Sequence, residues 1–306
     1  MDDKNRACRH FIIGGTIKAA TSSVFTYLSA HPEICGSSVK ETFFFTHEYS
    51  GNTERDLERY SRYFTPHRGA KVVVEASPNY LGYKENIAPR IKALLPDAKL
   101  LFVIRNPVDR LYSYYNFAVG KLQLPAELTF ERYVDLCEQY SLGSLSSEHA
   151  GIAEKHLRAL EIGKYSKYLQ NFYDAFAPER IKLALFDDLK RDPVRFMSDI
   201  CRFIDLDPEF FRHFKFNKIN VTFSARLKPL HRIAMLLNRA LESALRQRPD
   251  LKMRLVRIYK RLNQDREGYT AMADSTRARL TQYYSQANRE LGPPLAGQEL
   301  PMWIRE

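Results

Sequence analysis

The chain is poor in the residues that build covalent or metal cross-links. Its 306 residues hold four cysteines, Cys8, Cys35, Cys137 and Cys201, and no two of them have CxxC spacing. That argues against a disulfide framework or a structural zinc site and points to a reducing compartment. The eight histidines form no HExxH or similar metal-binding spacing, so no metal is expected. No apolar run approaches the ~20 residues of a membrane span. The N-terminal stretch, MDDKNRACRH, lacks the apolar segment of a secretory leader. A cytoplasmic setting is therefore expected. Peripheral membrane association comes second, and a lumenal setting only for a piece cut from an anchored enzyme. Internal repeats and Gly/Ser/Pro-rich linkers are also missing. One domain over 1–306 is expected, with an α/β core at 10–228 and a helical region at 229–306. Acids are in deficit, 36 against 47 Lys+Arg, for a net charge of +11. Such a balance favours anionic partners such as nucleotides, phosphorylated or sulfated ligands, acidic lipid or an acidic protein.

What is present alternates between two periods. Residues 10–16 (HFIIGGT), 71–75 (KVVVE), 99–104 (KLLFVI) and 180–186 (RIKLALF) read as buried strands. Between and after them, helical spacing covers 21–30, 54–64, 84–95, 108–118, 165–175 and 193–204. From residue 230 onward only helices are expected, near 230–247, 250–263 and 275–290. Strands alternating with helices imply a parallel sheet covered on both faces.

Two strand-to-helix junctions carry chemistry. The first is Gly14-Gly15-Thr16-Ile17-Lys18-Ala19-Ala20-Thr21-Ser22-Ser23. A helix N-terminus there offers backbone N–H groups to an anion. Small residues allow close approach, Lys18 adds a charge, and Thr21 and Ser22 add hydroxyls. A plain turn capped by Thr21 or Ser22 is the alternative. The nucleotide motif GxxxxGK[ST] is absent, because two alanines separate Lys18 from Thr21. At the second junction, Arg105 ends a strand and Ser113 lies inside the next helix. Ligands bind at such strand ends in open parallel sheets, and a guanidinium can fork onto a phosphate. An Arg105–Asp109 cap is the alternative here.

Taken together, these segments resemble the sulfotransferases that use 3′-phosphoadenosine 5′-phosphosulfate, and most closely the heparan-type, saccharide-sulfating branch with its bacterial relatives. Lys18-Ala19-Ala20-Thr21-Ser22 is similar to the family's 5′-phosphosulfate loop. Arg105-Asn106-Pro107-Val108-Asp109-Arg110 with Ser113 looks like its 3′-phosphate motif. Lys40-Glu41-Thr42-Phe43-Phe44-Phe45 resembles [KN]-E-x-x-F-F, and Val74-Glu75-Ala76-Ser77-Pro78-Asn79-Tyr80 resembles VEK[ST]PxY. Order and spacing match over roughly residues 10–120.

The resemblance implies a P-loop NTPase-like three-layer α/β fold with a helical C-terminal elaboration. It also implies sulfuryl transfer without metal, with adenosine 3′,5′-bisphosphate as the product of the donor. Lys18 would stabilise the leaving phosphate, and residues 19–23 (Ala19, Ala20, Thr21, Ser22, Ser23) would line the donor. Arg105 and Ser113 would take the 3′-phosphate, with Arg226 from a late loop at 220–228. Glu41 maps to the heparan-branch base, and His47 is the rival, since the small-molecule branch uses histidine. Beside Phe43, Phe44 and Phe45, the Glu41 carboxyl is expected to be desolvated and poised near neutrality. Lys40, Glu75, Ser77 and Tyr165 are candidate acceptor residues. The family lysine after Glu75 is Ala76 here, which weakens the case for a highly anionic acceptor. A saccharide is the first expectation, and a lipid, polyketide or carrier-bound hydroxyl the second. A P-loop kinase or a non-enzymatic anion-binding protein are the remaining readings, and no nucleic-acid motif is seen.

The charge is uneven. Residues 226–266 hold twelve Lys/Arg against three acids. Their spacing with leucines suggests a basic amphipathic face, suited to an anionic surface or an acidic carrier protein.

Overall fold

The computed structural model describes residues 8–66, 69–83, 87–125, 127–217, 271–295 and 299–305. The helices expected at 230–247 and 250–263, the loop with Arg226 and the whole basic stretch 226–266 lie outside the described residues. The chain forms two compact units. One comprises Met1–Arg110, Ile162–Asn220 and Leu280–Glu306; the other comprises Leu111–Glu161 and Val221–Arg279.

The first unit is built on five parallel strands: β1 (Arg9–Gly15), β2 (Ile34–Gly36), β3 (Val72–Ala76), β4 (Lys99–Ile104) and β5 (Ile181–Leu185). Their spatial order is β2-β3-β1-β4-β5. Alternating side chains feed two separate cores. Ile12, Val73, Leu100, Phe102 and Leu183 point to one face. There they meet Phe44 of α2 (Phe44–His47), Tyr60 of α3 (Thr53–Ser61), Ile91 of α4 (Ala88–Leu94) and Phe172 of the helix Tyr165–Ala175. Phe11, Ile13, Val72, Val74, Leu101 and Val103 point to the other. There they meet Val24 and Leu28 of α1 (Thr21–Ser29) and Met197 and Ile200 of the helix Pro193–Phe203. The result is a three-layer α/β fold. Both faces are apolar because both are covered, which is why the strands read as unbroken hydrophobic runs.

The Gly14-Gly15 pair has a packing reason. A Cβ on Gly14 would sit 2.7 Å from the Phe102 ring, and one on Gly15 would sit 2.9 Å from Leu81 Cβ. Glycine therefore lets β1 end hard against its neighbours.

Two strands depart from the expected pattern, and the helices Phe44–His47 and Phe130–Ser141 lie where no element is expected. β2 is only three residues long and follows Pro32, so it shows no periodicity. The strand expected at 180–186 stops at Leu185, and Phe186 opens a short helix, Phe186–Arg191. Among the described residues no helix is long and apolar enough to cross a membrane. All four cysteines are buried free thiols.

In the second unit, α6 (Phe130–Ser141) starts at Thr129, whose side chain accepts the Arg132 N–H. His156 is buried there. Its carbonyl accepts the Tyr133 hydroxyl over 2.6 Å, and its Nδ1 lies 2.9 Å from the Tyr114 hydroxyl.

Candidate active site

The site is assembled at the C-terminal ends of the parallel strands. Beyond β1, the Thr16 N–H donates to the Val103 carbonyl over 2.9 Å, carrying the pairing with β4 into the loop. The chain then passes through Lys18 (φ 72°) and Ala20 (φ 61°), both left-handed. Each such non-glycine residue costs on the order of 1 kcal/mol and persists only where its surroundings over-determine it. Ala20 is the N-cap of α1, and no side chain caps the helix. The alternative reading, a plain turn capped by Thr21 or Ser22, is therefore not what forms. The Ser23 N–H turns back to the Ala20 carbonyl over 2.9 Å, and the positive end of the helix dipole at Thr21 and Ser22 suits an anion. Ala19 and Thr21 are buried, and Lys18, Ala20 and Ser22 are half-buried.

Arg105 follows β4. Its Nη1 donates to the Lys18 carbonyl over 3.2 Å, and the guanidinium lies 4.8 Å from the centroid of the Phe186 ring. Its own carbonyl accepts the Tyr165 hydroxyl over 2.8 Å. Burial lowers the Arg105 pKa, against the opposing pull of Asp109, Tyr165 and Asp187. The next helix, α5 (Pro107–Gly120), is capped by Asn106. Its Oδ1 accepts the Val108 and Asp109 N–H groups over 3.0 and 3.4 Å, so Arg105 is not spent on capping. Ser113 is half-buried on α5 and belongs to the second unit.

The third component is residues 40–45. The Glu41 N–H donates to the Ala76 carbonyl over 3.0 Å, fastening this segment to the end of β3. Glu41 (φ 66°) and Phe43 (φ 53°) are again left-handed. The Lys40 ammonium pairs with Glu41 Oε1 over 2.5 Å. His47 is exposed, with its ring 6.0 Å from that of Phe43.

The expected environment of Glu41 is corrected here. Its side chain is 41% exposed, so the aromatic cluster does not desolvate it. Phe44 and Phe45 turn inward and pack on Tyr60, with centroids 5.1 and 5.6 Å away. The carboxyl they enclose is that of Glu75, which is fully buried and whose pKa burial pushes up to about 7. Glu75 Oε2 accepts the hydroxyls of Thr42 and, over 3.2 Å, Ser77. Glu75 and Ser77 are both 0% exposed, so they stand behind the site, out of reach of an acceptor. Tyr165 is corrected in the same way. It is a core residue whose hydroxyl braces Arg105, and burial raises its pKa to about 12. Sequence reasoning gives no role to Arg110, which is 1% exposed; burial raises the pKa values of Tyr165 and Tyr284, and the Arg110 charge opposes that rise. It likewise gives no role to Phe186, which the sequence pattern places at the tail of a strand.

Comparison with known proteins decides the family. The pattern described as "Sulfotransferase domain" matches residues 10–225, which span all three site segments. The chain belongs to the sulfotransferase family. Among relatives of this sulfotransferase chain, the bifunctional heparan sulfate N-deacetylase/N-sulfotransferase 3 of Homo sapiens is 25% identical over 97% of the chain. The membrane-associated sulfotransferase kil1 of Dictyostelium discoideum is 34% identical over 41%. The chain spans 31% and 27% of the length of these two relatives. A sulfotransferase structure from Alicyclobacillus acidocaldarius superposes with a TM-score of 0.63 at 25% identity, covering 97% of this chain and 99% of that one. The sulfotransferase fold thus accounts for the parallel sheet and for the strand-end loops that carry Lys18, Arg105 and Glu41.

Proposed function

We propose that the chain transfers a sulfuryl group to an acceptor hydroxyl or amine by in-line displacement, with Glu41 as general base. What supports this most directly is the Arg105–Lys18 contact, which links two anion-binding segments beside an uncapped helix N-terminus. Bound 3′-phosphoadenosine 5′-phosphosulfate would supply the sulfuryl group and leave as adenosine 3′,5′-bisphosphate. The residues present suit that donor: alanines that admit close approach, an N-terminal helix dipole, a lysine and a strand-end arginine.

Lys18 and the N–H groups at the start of α1 would stabilise the negative charge that develops on the leaving phosphate oxygen. A transferring sulfuryl group carries one negative charge fewer than a phosphoryl group, so a lysine and amides can serve where kinases use Mg²⁺. Arg105 would fork onto the 3′-phosphate and fix the register of the donor. Glu41, exposed at the end of β3, would accept the proton of the acceptor O–H or N–H as its oxygen or nitrogen attacks sulfur. His47 is the rival base.

A saccharide is the proposed acceptor, because relatives named for heparan sulfate align over nearly the whole chain. Ala76, where the family carries lysine, favours a less anionic sugar. A lipid or carrier-bound hydroxyl is the second reading, supported by the basic residues of 226–266. An acceptor screen with labelled donor, read by mass spectrometry, tests this. Sulfated sugar from wild type and none from Glu41→Gln supports it, and label appearing only on lipid or polyketide acceptors replaces it.

A further inference from the structure

Three backbone N–H groups of the Glu41 segment are held from β3 and the residues after it, and a fourth is held within the segment by Thr42. The Glu41 N–H donates to the Ala76 carbonyl (3.0 Å), and that of Phe43 to Ser77 Oγ (3.2 Å). The Phe44 N–H donates to Thr42 Oγ1 (3.3 Å), and that of Phe45 to the Tyr80 hydroxyl (3.4 Å). Two of these acceptors are hydroxyls that themselves donate to a single atom, Glu75 Oε2. The polarity is forced. A hydroxyl has one proton to give. Once it is given to a carboxyl oxygen, only lone pairs remain to face the backbone. Glu75 therefore orients Thr42 and Ser77 as acceptors for the N–H groups of a turn whose Glu41 and Phe43 are both left-handed. Strain of this kind needs such over-determination.

We infer that Glu75, acting through Thr42 and Ser77, is a positioning residue that sets the strained turn presenting Glu41 to the acceptor. This rests on Glu41 being the base. Glu75 never touches the reactants. The device survives protonation, because a proton on Oε1 leaves Oε2 an acceptor, and burial that raises the Glu75 pKa does not undo it. Tyr60 and Tyr80, whose hydroxyls lie beside the carboxyl, close the cage.

The test uses the full chain, with donor turnover read as release of adenosine 3′,5′-bisphosphate in the presence of a glucosamine tetrasaccharide. Thr42→Val removes one hydroxyl and keeps the shape. It is expected to lower kcat about tenfold or more, as small misplacements of catalytic groups do, with donor affinity unchanged. Amide hydrogen exchange at residues 43–45 should accelerate. Glu75→Val should behave alike, whereas Glu75→Gln, whose amide oxygen can still accept both hydroxyls, should recover most of the loss. In a Glu41→Gln background, Thr42→Val should cost nothing further. Unchanged exchange at 43–45, wild-type kcat in Thr42→Val, or an equal loss in both backgrounds overturns the inference. Wild-type turnover in Glu41→Gln alone overturns the base assignment instead, so the two failures are separable.

Discussion

The Arg105 guanidinium donates to the Lys18 carbonyl over 3.2 Å, joining the end of β4 to the left-handed loop after β1. The residue proposed for the donor's 3′-phosphate thus also holds the residue proposed for its 5′ end. Arg105→Ala should weaken adenosine 3′,5′-bisphosphate binding by about 2 kcal/mol, the worth of a charge-assisted hydrogen bond. It should also weaken adenosine 5′-phosphate, which has no 3′-phosphate, because the loop loses its tie. Titration calorimetry with both ligands checks this, and a loss confined to the 3′-phosphorylated ligand would leave Arg105 with only one of the two roles.

Phe186 lies 4.8 Å from that guanidinium. Phe186→Leu keeps apolar bulk and removes the ring. It should raise the donor KM by about 3- to 10-fold, in line with roughly 1 kcal/mol for a partly desolvated cation–π contact, and leave kcat near wild type. Phe186→Tyr should restore the wild-type KM.

Glu41→Gln should lower turnover by about 10²- to 10⁴-fold, the usual worth of a general base, with donor affinity within about twofold of wild type. His47→Gln should change turnover by less than about threefold. Steady-state kinetics on the two variants decides between the bases.

Acid should destabilise the protein. Burial lowers the pKa values of His10 and His156 to about 4. Each binds its proton in the unfolded chain near pH 6.5 but in the folded chain only near pH 4. Their contribution is fully present above pH 6.5 and is lost as pH falls toward 4. Glu75 works in the opposite sense. Its pKa is raised to about 7, so the folded chain holds the extra proton and gains stability as pH falls from about 7 toward 4.5. Urea unfolding between pH 7.5 and 5 should show the net loss. Glu75→Gln should steepen it, and His156→Asn should flatten it.

Much of the fold was legible because β1, β3, β4 and β5 are β-branched or apolar runs buried on both faces. β2 was not, since three residues carry no period. Phe186 was misread because a helix that begins directly after a strand leaves no polar break. That Lys18 and Arg105 lie at strand-to-helix junctions was legible in the sequence, whereas their roles toward a donor came from the family resemblance. The surroundings of Glu41 could not. Three consecutive phenylalanines look like a shell around the neighbouring carboxylate, yet two of them turn inward and the left-handed backbone at Glu41 and Phe43 turns Glu41 outward. Their apolar shell falls on Glu75, a charged residue inside a valine strand whose burial only the three-dimensional structure reveals.

The central claim is a donor site that uses Lys18, Arg105 and the α1 N-terminus in place of a metal. Thermal unfolding with adenosine 3′,5′-bisphosphate in EDTA tests it most directly. At about a hundredfold excess over Kd, a rise in Tm of roughly 5 °C is expected, abolished in Lys18→Ala and reduced in Arg105→Ala. No shift with that ligand, together with a clear shift with Mg-ATP, would contradict the account.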